Sequence, residues 1–200
     1  MQPITIENTN YEYLSWQVLG QDIFSLAQQI LGSGKKFDRV VALAKGGLAF
    51  SRSLTDYLDI KDLSTMQIEL YTGINKTAKM PVITQNLPVS IRDQHILVFD
   101  DVVDHGVTMK LAVEYLQNQG PAEIVTSTLV CKPWSTFKPD FQAYQTESWV
   151  IFPNESRETI GLLKTQWLSA GQGIEQVREN LLKIGFPQAE VAFFTTWEKG

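Results

Sequence analysis

Short, uninterrupted apolar runs constrain this chain more than any other feature. Arg39–Ala44 (RVVALA) and Ile96–Phe99 (ILVF) lack the apolar–polar alternation of a half-solvated strand. They read instead as strands buried on both faces, as in a parallel sheet covered by helices. Met66–Tyr71, Ile124–Val130 and Ser148–Ile151 read as further strands. Helical patterns lie between them. Ser15 is placed to cap a helix from Trp16 to about Leu31 that aligns Leu19, Ile23, Leu26 and Ile30 on one face. Gly46-Gly47 turns the chain into a helix ending near Leu58, and another is predicted from about Thr108 to Gln119, before Gly120-Pro121. Alternating strand and helix predicts a three-layer α/β fold with a mainly parallel sheet, beginning near residue 14.

Two regions depart from that rhythm. Residues 72–88 are polar, carry Gly73, Pro81 and Pro88, and read as a long functional loop in which Lys76 and Lys79 are available cations. Beyond Pro153 the pattern is helical only: Ile160, Leu163 and Trp167 share one face, Ile174, Val177 and Leu181 another, and Gly185-Phe186-Pro187 reads as a helix stop.

The chain has 200 residues, a net charge of −5 and a single cysteine, Cys131. The acidic balance advertises no affinity for nucleic acid or anionic membrane. One cysteine forms no internal disulfide and suits a reducing compartment. No segment approaches a membrane span, and the first residues show no signal-peptide pattern, so a cytoplasmic protein is expected. Gly34-Lys35 lacks the other P-loop residues, and Gly171-Gln172-Gly173 lacks the third glycine of a dinucleotide fingerprint.

The chemistry concentrates in Ile96–Thr108, where ILVF is followed by Asp100-Asp101, Asp104 and His105-Gly106-Val107-Thr108. Ligands of open parallel sheets bind beyond the carboxyl ends of the strands. Asp100 and Asp101 suit the vicinal hydroxyls of a sugar, or a magnesium ion, which prefers oxygen ligands. Residues 105–108 open a helix whose backbone N–H groups, with the Thr108 hydroxyl, suit a phosphate. Diol ligands followed by an anion nest describe a ribose 5-phosphate site.

This stretch resembles the phosphoribosyl pyrophosphate (PRPP) motif of type I phosphoribosyltransferases, and other segments resemble their bacterial xanthine–guanine branch. Those segments are Ser15-Trp16, Ala44-Lys45-Gly46-Gly47-Leu48, Cys131-Lys132-Pro133 and Glu147-Ser148-Trp149-Val150 with Pro153. The likeness covers about residues 14–153. It implies a phosphoribosyltransferase domain over residues 1–153, with a lid at about 72–88 and a base-binding hood at about 132–153. Residues 154–200 would form a helical extension packed on that domain or at a subunit interface.

The resemblance also implies roles. Lys45 and Gly46 would hold pyrophosphate. Asp100 and Asp101 would bind the ribose hydroxyls and Mg2+, with Asp101 nearest the metal. Asp104, His105, Gly106, Val107 and Thr108 would surround the 5-phosphate, and Asp104 would act as general base toward N7 of a purine. Lys132 would donate to a 6-oxo group, Trp149 would stack on the base, and the Val150 backbone would face the 2-position. The implied activity is transfer of ribose 5-phosphate from PRPP to guanine, xanthine or hypoxanthine. A homo-oligomer, dimer or tetramer, is expected, with no nucleic-acid or membrane partner. The alternatives are a phosphoribosyltransferase for another base, against which Lys132 and Trp149 argue, and a PRPP-sensing regulator on the same fold. His105 departs from the family's usual Thr or Ser, and Leu70-Tyr71 from its Ser-Tyr.

Overall fold

The computed structural model describes residues 3–72 and 79–197. By packing, the chain divides into one unit of residues 20–146 and a second made of residues 1–19 and 147–200. The division thus falls inside the first helix, α1 (Trp16–Gly32), and the boundary expected at 153/154 lies within the second unit. The Ser15 hydroxyl accepts from the Val18 N–H at 3.3 Å, the cap its position implied, and the Leu19, Ile23, Leu26 and Ile30 stripe is buried.

The larger unit is built on a six-stranded sheet. Its strands are β3 (Arg39–Ala44), β4 (Asp62–Thr72), β5 (Lys79–Gln85), β6 (His95–Val103), β7 (Glu123–Cys131) and β8 (Phe141–Gln145), in the order β5-β4-β3-β6-β7-β8. Only β4 and β5 pair antiparallel; every other neighbour is parallel. Val41, Leu43, Ile96 and Val98 join one core cluster with Met109, Ala112 and Leu116 of α3 (Val107–Gln117). The alternate residues Val40, Ala42, Leu97 and Phe99 point to the opposite face and are equally buried. The helix α2 (Gly46–Tyr57) packs on β3 and β6 and buries Phe50 and Leu54.

Two expectations for this unit need correction. Residues 79–85, read as loop, form the edge strand β5; Pro81, which an edge strand tolerates, and the exposed Met80 and Val82 hide its alternation from the sequence. Of the expected lid, Gly73–Ala78, including Lys76, lie outside the described residues. Likewise β6 does not stop at Phe99. It continues through Asp100 and Asp101 to Val103 because β7 still pairs with it, although its ladder to β3 has ended at Ala42↔Phe99.

In the smaller unit β1 (Ile4–Ile6) and β2 (Thr9–Tyr13) form a hairpin, and β9 (Trp149–Ile151) adds to β2 in parallel. The fold therefore starts before residue 14. Helices α4 (Ser156–Ser169), α5 (Ile174–Ile184) and α6 (Gln188–Thr196) complete the unit, after a 3-10 turn at Pro153–Glu155. Their stripes meet the hairpin in one core: Ile160, Leu163, Trp167, Val177 and Leu181 are buried with Tyr11 and Ile151. Tyr11 and Trp167 pack edge to face, with ring centroids 6.3 Å apart. The predicted helix stop has a specific geometry. Gly185 adopts φ 119°, the Phe186 N–H returns to the Leu181 carbonyl, and the Phe186 ring is buried. No described helix is long and apolar enough to cross a membrane.

Candidate active site

Where the ladder between β3 and β6 ends, at Ala42↔Phe99, the carboxyl edge of the sheet passes from apolar residues to carboxylates. Asp100 and Asp101 sit there, only 9% and 6% exposed. The Asp101 N–H donates to Asp100 Oδ1 at 3.0 Å, and the Val102 N–H donates to Asp101 Oδ1 at 2.8 Å. Burial, and then the neighbouring Asp101 charge, holds the Asp100 carboxyl well above the usual carboxylate range; burial raises Asp101 as well. Two such groups side by side resist ionising together.

The turn between β3 and α2 backs this pair. Lys45 precedes α2, is exposed, and follows a cis peptide bond from Ala44. A methyl group built on Gly46 would overlap the Asp101 carboxylate. One on Gly47 would lie 2.6 Å from the Phe99 carbonyl oxygen and 2.9 Å from Asp100 Cα. Backbone atoms make glycine necessary at Gly47, whereas a side chain at Gly46 would have to displace the Asp101 carboxylate. The motif glycines and the motif aspartates are therefore in direct contact.

Downstream, Gly106 adopts φ 84° and starts α3 with no side-chain cap. A Cβ at Gly106 would collide with Phe137, so the loop 104–106 lies against the segment after β7. That leaves the first N–H groups of α3 at Val107 and the half-buried Thr108, where the dipole favours an anion. Asp104 is half exposed. Its Oδ1 accepts from the Trp134 indole Nε1–H at 2.7 Å, and its Oδ2 lies 3.2 Å from His105 Nδ1. The His105 ring is thus directed to Asp104.

Lys132 follows β7 directly, with its N–H on the Val103 carbonyl at 2.9 Å, and is 7% exposed. Burial of a lysine at a strand end separates it from ordinary surface lysines. The larger unit thus brings Lys45, Gly46, Asp100, Asp101, Asp104 to Thr108 and Lys132 onto the β3–β6–β7 edge. Trp149 and Val150 belong to the smaller unit. There Trp149 is 41% exposed, stacked on Tyr11 with centroids 6.0 Å apart, and Val150 is buried. Trp134 escaped the sequence reading; only its place two residues beyond Lys132 marks it.

Among the described residues no group of three or more His, Cys, Asp or Glu is arranged to hold a metal ion. The donor set nevertheless fits Mg2+, which retains waters and takes one or two carboxylates together with substrate phosphates.

Fold and site together define an open α/β protein whose carboxyl edge carries a buried carboxylate pair between two glycine turns. The chain belongs to the phosphoribosyl transferase domain family, whose model matches residues 10–157. It is similar to the xanthine-guanine phosphoribosyltransferase of Gluconobacter oxydans, at 29% identity over 74% of this chain and 87% of that protein. It also resembles the purine phosphoribosyltransferase of Pyrococcus horikoshii, at 32% identity and a TM-score of 0.64, over 72% of this chain and 92% of that one. The fold is shared with a Neisseria gonorrhoeae protein at 22% identity and a TM-score of 0.66, over 72% of this chain and 89% of that one.

Proposed function

We propose that the protein transfers the 5-phosphoribosyl group of PRPP to a 6-oxopurine (guanine, xanthine or hypoxanthine), releasing pyrophosphate. The observation that carries this reading is the buried Asp100–Asp101 pair held against Gly46, one loop upstream of the Gly106 turn into α3. Family membership and the names of the relatives support it.

In this reading Asp100 and Asp101 accept from the ribose hydroxyls and hold Mg2+. The metal, when bound, offsets charge on the leaving pyrophosphate. The Lys45 side chain and the Gly46 backbone take pyrophosphate oxygens. The 5-phosphate rests on the N–H groups of residues 105–108 and the Thr108 hydroxyl. A ring nitrogen of the base bonds to ribose C1 as the C1–O bond to pyrophosphate breaks, and Asp104 takes the displaced proton. Lys132 selects the base. An ammonium only donates, so it pairs with a 6-oxo group and leaves a 6-amino group facing another donor, a mismatch of about 1–3 kcal/mol. For Trp149 and Val150 the assignment rests on the resemblance and on the exposed indole face. The single buried thiol of Cys131 suits a reducing cytoplasm.

Incubating the protein with PRPP, Mg2+ and each purine base separately tests the proposal. Nucleotide and pyrophosphate should form with at least one 6-oxopurine, and little should form with adenine. A preference for adenine removes the base assignment; no product with any base removes the activity.

A further inference from the structure

The segment after β7 does more than carry Lys132. The Ser135 N–H closes a turn on the Lys132 carbonyl at 3.0 Å, and the Thr136 hydroxyl donates to the His105 carbonyl at 2.9 Å. The turn is thereby fastened to the 104–106 loop. At its tip stands Trp134, and this one side chain touches two groups with assigned roles. Its indole Nε1–H donates to Asp104 Oδ1 at 2.7 Å, and the Lys132 Nζ lies 5.7 Å from the centre of its ring.

An indole suits this double duty. It has one N–H, which only donates, so it can pair with the carboxylate but never compete for its proton. Its face attracts an ammonium within about 6 Å. Two side-chain torsions make it a stiff spacer between the two groups. The remaining partner of Asp104, His105, is 73% exposed at its side chain, where an ion pair is weak. The indole is therefore the stronger constraint on the carboxylate.

On a free 6-oxopurine that carries its imidazole proton on N7, O6 accepts and N7–H donates, side by side along one edge. A site that reads both must hold its donor and its proton acceptor at a fixed separation. We infer that Trp134 is a positioning residue for base recognition: by holding Asp104 through its N–H and Lys132 through its ring, it sets the spacing of the two groups that meet O6 and N7. The inference rests on the function proposed above.

Steady-state kinetics of the full chain test it, using wild type, Trp134→Phe, Trp134→Ala, Asp104→Asn and the Trp134→Phe/Asp104→Asn double variant. The phenyl ring keeps the face toward Lys132 and removes the N–H. Trp134→Phe should therefore lower kcat about tenfold, the scale of one hydrogen bond to a charged group, while the PRPP KM stays within about twofold of wild type. Asp104→Asn should lose about 100-fold, and adding Trp134→Phe to it should cost nothing further, because the indole acts through Asp104. Trp134→Ala removes the ring as well and should also raise the KM for the base. Trp134 is half exposed, so melting temperatures should stay near wild type. Full kcat in Trp134→Phe, or losses that multiply in the double variant, overturns the inference and leaves the proposed function standing. A wild type that makes no nucleotide overturns both.

Discussion

Replacing Gly46 by alanine probes the contact between the two motif segments directly. The added methyl would occupy the space of the Asp101 carboxylate, so that side chain has to turn away. Turning it breaks the 2.8 Å hydrogen bond from the Val102 N–H, one made to an acidic acceptor in a buried setting and worth about 1.5–3 kcal/mol. Stiffening the unfolded chain with alanine returns about 0.4–1 kcal/mol. The net loss of about 1–2 kcal/mol corresponds to a melting temperature lower by about 2–8 °C for a chain of this size. Activity should suffer more, since a displaced ligand for the reacting sugar costs about 100-fold in turnover. Gly161→Ala is the control. Gly161 sits inside α4, and a methyl there meets nothing within 4 Å, so stability should rise by about 0.5–1 kcal/mol with turnover unchanged. The assay is a thermal melt together with turnover at saturating PRPP and base. If Gly46→Ala melts and turns over like wild type, the steric coupling of the glycine turn to Asp101 is refuted.

The raised Asp100 carboxyl makes a pH prediction. Between the ordinary aspartate value and the raised one, the folded chain binds more protons than the unfolded chain. The stability contributed by this group is therefore complete below about pH 4 and is lost as pH rises through the folded value. In metal-free melts from about pH 4 to 8, Asp100→Asn should lose this decline while PRPP binding collapses; an unchanged slope would assign the decline to other groups. Lys132→Ala should cut the preference for 6-oxopurines over adenine by about tenfold or more, measured as the ratio of kcat/KM values. A preserved ratio would place base selection elsewhere.

What the sequence could reveal follows from how each element is buried. RVVALA and ILVF announced themselves because both of their faces are covered, so nothing but apolar residues is tolerated there. The outer strands β1, β5 and β8 are short or edge elements with partly exposed side chains, so no continuous apolar run marks them. The Asp pair looked like a terminator, since carboxylates inside a strand are costly. What carries β6 past Phe99 is its continued pairing with β7, a contact that no local pattern encodes. The motif aspartates, glycines and Thr108 were readable from local order. The hold of Trp134 on Asp104 was not, because thirty positions separate the two and no local pattern encodes such a contact.

The smaller unit is assembled from the two ends of the chain, and this has a consequence for its synthesis. The β1–β2 hairpin is synthesised before residues 20–146, yet the partners of Tyr11 (the β9 strand with Trp149, and Trp167) are made only after them. The hairpin alone is two short strands, below what is stable in water. Residues 20–146 have their own sheet and core and can condense while the hairpin still waits. A nascent or prematurely terminated chain lacking α4 should therefore display Tyr11 and its neighbours to solvent, as a sticky marker of incomplete synthesis that vanishes only when α4 and β9 dock.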